Sequence, residues 1–309
     1  MSDPIPVSPA PIAVFAYRRP DHLRNTLQSL MRCDGFAGSP VFVYCDGPRS
    51  EAERADVEAT RAVARELLGE DAEYHFSATN RGLSASVIAG VSDVLKRFDR
   101  IIVIEDDLLL SPGFLSYMTN SLTLYADEAR AFQVSGYTFE VPALARAGMS
   151  AFLPFTTSWG WATWRRAWCH FDAAATGWER LQTEPDLRRR FNLDGAYDYA
   201  TMLERQMQGK RDSWAIRWYW SVFSAGGLVL FPPTALVKNE GMDGSGTHGR
   251  GLLRRFRTEA LSGALGEPGF PAKVVADPVS VRQVVDALIL QNGGWHARCL
   301  DLLRRLSGC

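Results

Sequence analysis

Residues 101–107 read IIVIEDD, an apolar run that ends abruptly in three carboxylates. A short run of β-branched residues with no polar member is typical of a strand buried on both faces of a mainly parallel sheet. Open α/β sheets bind their ligands beyond the carboxyl ends of such strands. We therefore expect Glu105, Asp106 and Asp107 to lie at the edge of the sheet where a ligand would bind.

The three adjacent carboxylates allow two interpretations. Along an extended segment side chains alternate, so Glu105 and Asp107 would point one way and Asp106 the other. Unpaired neighbouring anions would raise one another's pKa, and a divalent cation that prefers oxygen ligands, Mg²⁺ or Mn²⁺, would relieve this repulsion. Alternatively, the run is a solvated turn between a strand and a helix. The spacing alone favours neither interpretation.

The residues before this run alternate between short apolar segments and helical patterns, which is typical of βαβ units. Strands are predicted at Ile12–Ala16, Val41–Cys45 and Tyr74–Ala78. Helices are predicted from Pro20 or Asp21 onward, over Glu51–Leu68, and around Val87, Val91, Val94, Leu95 and Phe98. The predicted fold class is α/β, with a mixed, mainly parallel sheet flanked by helices.

The composition changes after about residue 150, because eight of the nine tryptophans lie between Trp159 and Trp220. No Pro/Ser-rich linker separates this part from the first, so we expect a second lobe of the same domain. The predicted organisation is a flexible lead at 1–11, a first half at 12–150, a Trp-rich second half at 151–260 and a C-terminal helical extension at 261–309.

Composition excludes several classes of protein. The chain has 309 residues and a mass of 34.3 kDa, with 46% hydrophobic and 22% charged residues, as ordinary globular proteins have. Thirty-four Lys and Arg against 35 Asp and Glu leave a net charge of −1, whereas nucleic-acid-binding proteins normally carry a basic excess. We therefore expect no nucleic-acid partner.

Cysteine usage and hydropathy indicate a cytoplasmic protein. The five cysteines are odd in number and scattered, so neither a disulfide framework nor a structural zinc site is indicated. The first residues do not resemble a secretory signal, and no window approaches the roughly 18 apolar residues that span a bilayer. Leu300–Arg305 is a short basic amphipathic segment, which suits either a helix docked on the body or a peripheral contact with the inner face of the membrane.

Several segments together resemble the GT-A glycosyltransferases, in particular the N-acetylglucosaminyltransferase I type and its bacterial family-2-like relatives. In chain order they are Ala16-Tyr17-Arg18, Val43–Gly47, Asn80–Leu83, Ile101–Asp107 followed by Ser111–Phe114, Ser158–Trp161, Asp212–Trp214 and Asn239–His248. The resemblance rests on their order and spacing. It implies a GT-A fold with a nucleotide-sugar-binding half at 12–150 and an acceptor-side, catalytic half at 151–260.

The resemblance also implies roles for the residues on the donor side. In such enzymes an acidic motif holds the metal that grips the diphosphate of the sugar nucleotide; this role falls on Asp107, with Mn²⁺ or Mg²⁺ as cofactor. His248 is expected to touch the metal or the diphosphate. The pocket for the nucleotide and the donor sugar corresponds to Ala16, Tyr17, Arg18, Asp46, Asn80, Arg81, Glu105 and Asp106. For these pocket residues, a purely structural role in a turn or a helix cap stays open.

For the catalytic base, the resemblance indicates Asp212. It precedes the aromatic segment Ser213–Ser224, where desolvation would raise the basicity of a carboxylate. Asp172 and Asp198 are the alternatives, and Asp212 could also be the N-cap of the following helix. Ser213 stands where the family pattern has a second acidic residue.

Trp159 and Trp161 are the candidates for contact with an acceptor, since an indole offers an apolar face to sugar C–H groups, although tryptophan is also a usual core residue. The resemblance, with these and the donor-side residues, implies a metal-dependent, inverting glycosyltransferase in glycan assembly. The expected donor is a UDP- or GDP-linked sugar, and the expected acceptor is a glycan or a lipid-linked glycan.

Two rival functions use a similar sheet. A nucleotidyltransferase that makes sugar nucleotides would need a Gly-rich phosphate loop after the first strand, and Tyr17–Pro20 contains no glycine. A catalytically silent carbohydrate-binding protein would need neither the acidic triplet nor Asp212. The lack of glycine in Tyr17–Pro20 disfavours the first rival, and the acidic triplet with Asp212 disfavours the second.

Overall fold

The computed structural model describes residues 8–241 and 268–291. Its strands are β1 (Ile12–Ala16), β2 (Val41–Cys45), β3 (Ala72–Phe76), β4 (Arg100–Glu105), β5 (Leu108–Leu110), β6 (Ala131–Ser135), β7 (Ala151–Leu153), β8 (Trp161–Trp164), β9 (Leu228–Phe231) and β10 (Val237–Asn239). Its α-helices are α1 (Pro20–Met31), α2 (Arg54–Leu68), α3 (Leu83–Arg97), α4 (Phe114–Leu124), α5 (Pro142–Ala147), α6 (Arg165–Trp168), α7 (Arg180–Thr183), α8 (Pro185–Phe191), α9 (Tyr199–Met207), α10 (Trp214–Ser224) and α11 (Pro278–Gln291). Short 3₁₀ turns at Glu51–Glu53 and Gly69–Asp71 flank α2.

The first half follows the predicted pattern closely. Strands β1 and β2 have the predicted bounds, and every residue in both is buried, as expected for strands covered on two faces. Helix α1 begins with Pro20 at its first position, where a missing N–H costs nothing. Strand β3 lies two residues earlier than predicted, at Ala72–Phe76 instead of Tyr74–Ala78.

The main sheet has eight strands in the order β3-β2-β1-β4-β8-β6-β9-β7. Strands β3, β2, β1 and β4 are parallel neighbours, and β6 pairs in parallel with β9. Strand β8 is antiparallel to both β4 and β6, and β7 is antiparallel to β9. The sheet is therefore mixed and mainly parallel, with helices packed against it, and the predicted α/β class is confirmed.

Strands from both halves of the chain share this sheet. Strand β8 belongs to the predicted second half and lies between β4 and β6 of the first half. A small second sheet pairs β5 with β10 in antiparallel fashion, Leu108 opposite Asn239. Because β5 follows the acidic triplet directly, this pairing brings the residues around 239 to the end of β4.

The Trp-rich part forms a buried aromatic cluster behind β8. Trp161 stacks on Trp214 with ring centroids 5.0 Å apart, and Trp168 lies 5.0 Å from Trp218. The indole N–H of Trp218 donates to Gln133 Oε1 on β6 at 2.7 Å, so this buried polar atom is satisfied. The cluster thus fixes α10 against the sheet.

The ends of the described segments are packed on the body. Residues 8–11 belong to the predicted flexible lead, but Ala10 is fully buried and the Pro11 carbonyl accepts from the Ile102 N–H at 2.9 Å. These last residues of the lead are therefore part of the core, a correction to the expectation. Helix α11 buries Val284 and Leu288. Leu300–Arg305 lies outside the described residues.

Within residues 8–241 and 268–291, no helix combines the length and the apolar character needed to cross a membrane. Cys33, Cys45 and Cys169 are free thiols.

Candidate functional site

A cleft opens at the carboxyl ends of β1, β2 and β4. These strands are parallel neighbours, so the residues that follow them meet at one edge of the sheet. The cleft encloses about 860 Å³, its open mouth included. Of the eight residues predicted for the donor pocket, seven line it: Ala16, Tyr17, Arg18, Asp46, Asn80, Glu105 and Asp106. Arg81 lines a separate groove between β3 and α3 instead.

The acidic triplet does not alternate as predicted. The chain leaves the strand after Glu105 and turns before β5, so strict alternation ends there. Glu105 and Asp106 both line the cleft, whereas Asp106 and Asp107 share one cationic partner, Arg19. We call Asp106, Asp107 and Arg19 the acidic corner.

Arg19 binds both aspartates of the acidic corner through one nitrogen. Its Nη2 lies 2.5 Å from Asp106 Oδ1 and 2.9 Å from Asp107 Oδ2. Burial acts to lower the pKa of the Arg19 guanidinium, but the two carboxylates outweigh it and the pKa is raised above its usual range. Arg19 is therefore a permanent cation in this corner.

The remaining oxygens of the corner are also hydrogen-bonded. Asp106 is almost fully buried; its Oδ2 accepts from the Tyr17 N–H at 3.1 Å. Asp107 Oδ1 accepts from Asn239 Nδ2 at 3.2 Å, and the Asp107 carbonyl accepts from the Glu240 N–H at 2.8 Å. The pairing of β5 with β10 thus places Asn239 against the second aspartate.

Burial and crowding raise the pKa of two carboxyls of the triplet, Glu105 and Asp106. Burial, with the charges of Asp107 and Asp106 added, raises the pKa of Glu105 to about 8. Burial also raises the pKa of Asp106, against the opposing effect of the Arg19 charge. Glu105 can therefore hold a proton at neutral pH.

Carboxylate oxygens are suitable ligands for Mg²⁺ or Mn²⁺, and the corner offers them beside the cleft. Among the described residues, however, no group of three or more His, Cys, Asp or Glu side chains is placed to hold a metal ion. A cation at Asp107 would therefore need further ligands from a bound molecule or from residues outside the described ranges. His248, the second predicted metal residue, lies outside the described residues.

Asp46 organises the loop that forms one wall of the cleft. Its Oδ1 accepts from the Gly47 and Arg81 N–H groups at 2.9 Å, and its Oδ2 accepts from the Gly82 N–H at 2.8 Å. Asn80 donates through Nδ2 to the Gly47 carbonyl at 2.9 Å. The structural role in a turn, left open for these residues, is thus present, while Asp46 and Asn80 also line the cleft.

Tyr17 and Arg18 meet a carboxylate that sequence reasoning missed, Glu53. The Tyr17 hydroxyl donates to Glu53 Oε2 at 2.5 Å, and Arg18 Nη1 lies 3.4 Å from Glu53 Oε1. Arg49 was also missed; its backbone N–H donates to Glu53 at 3.0 Å and its guanidinium lies 5.5 Å from the centre of the Tyr17 ring. The signal for Arg49 was its position just after a strand end, beside Asp46.

Asp212 lies beside this wall. A Cβ built on Gly82 would come within 3.3 Å of Asp212 Oδ2, and Asn80 and Leu83, on either side of Gly82, line the cleft. The Asp212 side chain is 61% exposed, with Arg217 Nη2 at 3.9 Å from its Oδ1. The expected desolvation by aromatic neighbours is therefore wrong: this carboxylate faces solvent beside Gly82.

The alternatives for the base are engaged elsewhere. Asp198 caps α9 by accepting from the Thr201 N–H, and Asp172 accepts from two backbone N–H groups of its own loop. The N-cap of α10 is Ser213, which accepts from the Ile216 N–H, so the interpretation of Asp212 as this N-cap is wrong. Of the three aspartates, Asp212 is the one placed beside the cleft wall.

The two tryptophans predicted to contact an acceptor differ. Trp161 is fully buried in the aromatic cluster, so the prediction of acceptor contact is corrected for this residue. Its side chain packs in the core because β8 is an inner strand of the sheet. Trp159 is only partly buried and packs edge-on against Tyr137 at 4.7 Å, so contact with an acceptor stays a prediction.

No protein-family model matches the sequence, and no curated protein matches it. Several solved structures are similar to the chain at low sequence identity. GalNAc-T7, in a crystal structure with UDP, GalNAc and Mn²⁺, is 11% identical with a TM-score of 0.44, over 77% of this chain and 46% of that one. A mannosyltransferase from Pyrobaculum calidifontis, in complex with GDP-Man and Mn²⁺, is 14% identical with a TM-score of 0.38, over 72% of each chain.

A cytidylyltransferase from Leptospira borgpetersenii is 12% identical with a TM-score of 0.34, over 57% of this chain and 64% of that one. The match with GalNAc-T7 covers 46% of that longer chain, so this chain spans less than half of its length. Of these three solved structures, two are glycosyltransferases and one is a cytidylyltransferase.

Proposed function

We propose that the chain is a glycosyltransferase that transfers a sugar from a nucleoside-diphosphate sugar to a hydroxyl of a glycan or a lipid-linked glycan. One observation carries the proposal: a cleft, the acidic corner and the exposed carboxylate of Asp212 meet at one edge of the sheet.

The basic side chains of the cleft suit the diphosphate of such a donor. Arg18, Arg19 and Arg49 all line it. A guanidinium offers paired N–H donors that match phosphate oxygens, and such charge-assisted hydrogen bonds are stronger than neutral ones. Tyr17, held by Glu53, supports Arg49 from the ring side. The leaving nucleoside diphosphate would thus gain stabilisation from groups that are already in place.

A divalent ion, when bound, supplies positive charge that stabilises the departing diphosphate. Asp107 would hold it, and His248 is the second proposed ligand. Mn²⁺ and Mg²⁺ both accept such oxygen-rich sites. The proposal covers either ion.

Asp212 is the proposed general base. Beside the cleft wall its carboxylate can accept the proton of an acceptor hydroxyl that approaches from solvent. Arg217, 3.9 Å away, holds the carboxylate on the side of α10. A single attack assisted by this base inverts the anomeric configuration of the transferred sugar. Trp159 is the proposed acceptor contact.

The test is a panel of UDP- and GDP-sugars with Mn²⁺ and with Mg²⁺, assayed for nucleoside diphosphate release with glycan acceptors and without them. Release that depends on the sugar nucleotide is expected. Release of pyrophosphate from a nucleoside triphosphate and a sugar phosphate would instead indicate a nucleotidyltransferase. Retained glycan binding without turnover of any donor would indicate a silent binding protein. The cytoplasmic location and the peripheral membrane contact of Leu300–Arg305 stay predictions.

A further inference from the structure

The acidic corner already contains a cation. Arg19 lies at the N-cap position of α1, three residues after the end of β1, and its side chain is only 19% exposed. A single nitrogen, Nη2, bridges Asp106 Oδ1 and Asp107 Oδ2 at 2.5 and 2.9 Å. One positive charge therefore neutralises two neighbouring carboxylates at the position between them.

That bridging position is the one a divalent ion would need in order to use both aspartates. The other oxygen of Asp106 accepts from the Tyr17 N–H, and the other oxygen of Asp107 accepts from Asn239. A guanidinium and a divalent ion repel each other and cannot occupy the same position. Arg19 must leave these oxygens before a metal can bind to the pair.

The Arg19 side chain can move into the neighbouring cleft. Its side chain lines the donor cleft, so a small rotation would carry the guanidinium toward a bound diphosphate. Its second terminal nitrogen, Nη1, is buried and has no hydrogen-bond partner among the described residues. A phosphate oxygen would supply that missing partner as well as a replacement for the aspartates.

We propose that Arg19 holds the place of the divalent cation in the nucleotide-free protein and gives it up when a nucleoside diphosphate arrives. The arginine then pairs with the phosphates, and the two aspartates become free for the metal. Metal and nucleotide therefore bind cooperatively, and metal alone binds weakly. This inference rests on the proposed function, because it assumes that the corner receives a metal with the donor.

The test measures Mn²⁺ binding to the full chain by electron paramagnetic resonance of the free ion, first without nucleotide. Arg19→Met removes the charge and keeps much of the volume, so it is expected to tighten Mn²⁺ binding about tenfold or more, the scale of one charge-assisted hydrogen bond. Arg19→Lys keeps a positive charge and is expected to bind Mn²⁺ as weakly as the native protein. Arg24→Met, on the same helix and paired with the exposed Glu66, is the matched control and should change nothing.

The second measurement adds UDP or GDP. Nucleotide is expected to tighten Mn²⁺ binding strongly in the native protein and much less in Arg19→Met, beyond the chelation of Mn²⁺ by the free nucleotide, which is measured separately. Should Arg19→Met fail to fold by circular dichroism, Arg19→Gln, which keeps hydrogen-bonding groups without the charge, takes its place.

Equal Mn²⁺ affinity in the native protein and in the neutral variants would overturn the competition and leave the metal assignment standing. No Mn²⁺ binding to any variant, with nucleotide or without it, would overturn the inference and the metal part of the proposed function together. Turnover of a sugar nucleotide in the presence of EDTA would then show that the transferase proposal survives on its own.

Discussion

Replacement of Gly82 by alanine tests whether the cleft wall positions Asp212. Gly82 has φ 84° and ψ 156°, a region of backbone conformation that is essentially restricted to glycine. An alanine held there costs about 1–3 kcal/mol of backbone strain. Its Cβ would also lie 3.3 Å from Asp212 Oδ2, tighter than ordinary van der Waals contact, so the carboxylate must shift.

Two measurements separate these effects. The free energy of unfolding, from urea titration, is expected to fall by about 1–3 kcal/mol. Because small displacements of a catalytic group lose much of its effect, kcat for sugar transfer is expected to fall about tenfold with little change in donor affinity. The control is Gly226→Ala, which also has a positive φ, of 66°, but no neighbour within 4 Å of the added Cβ.

The control should lose stability and keep kcat. A Gly82→Ala variant as stable as the native protein would refute the argument from backbone strain. A variant that loses stability but transfers sugar no more slowly than Gly226→Ala would refute the placement of Asp212 at the cleft wall.

Three further substitutions test the remaining roles. Asp212→Asn should lower kcat about 100-fold and keep donor affinity, because removing a general base slows only the chemical step. The control is Asp186→Asn, which changes an exposed carboxylate on α8 and should leave kcat unchanged. An Asp212→Asn variant with near-native kcat would show that another residue is the base. Asp107→Ala should abolish the gain in UDP affinity that Mn²⁺ provides, measured by calorimetry, and an undiminished gain would reject the metal assignment. Gly241→Ala would place a Cβ against Asp107 Oδ2, so it should weaken UDP binding with Mn²⁺ and lower the free energy of unfolding by about 1–3 kcal/mol. Gly113→Ala, with open space around its Cβ, should do neither, and equal behaviour of the two variants would contradict the close approach.

The first half of the fold could be predicted from the sequence because its strands are short apolar runs between helical patterns. Strands β1 and β2 begin and end where the apolar residues do. Strand β8 shows why the second half could not: its sequence, Trp161–Trp164, is compatible with a strand, but nothing local specifies that it pairs with β4 and β6 in the antiparallel sense. Such pairing depends on contacts between residues far apart in sequence.

The site was predictable to the level of strand ends. Residues after β1, β2 and β4 converge because parallel strands end at the same edge, and this needs no side-chain detail. Side-chain direction is a different matter. Arg18 and Arg19 are identical neighbours in the sequence, yet one meets Glu53 and the other the acidic corner. Which arginine meets which partner depends on the turn into α1, which the sequence pattern does not specify.

The place of β8 in the sheet has a consequence for any attempt to divide the protein. A fragment truncated at residue 150 would keep β4 and β6 but lose the strand that hydrogen-bonds to both. The peptide groups of β4 and β6 that pair with β8 would then lose their partners, and such open strand edges promote aggregation with other chains. During synthesis, a nascent chain likewise leaves β4 unpaired on that side until Trp161–Trp164 has emerged from the ribosome. The sheet beneath the donor-side cleft is therefore completed late in synthesis, by the β8 residues, which do not line the cleft.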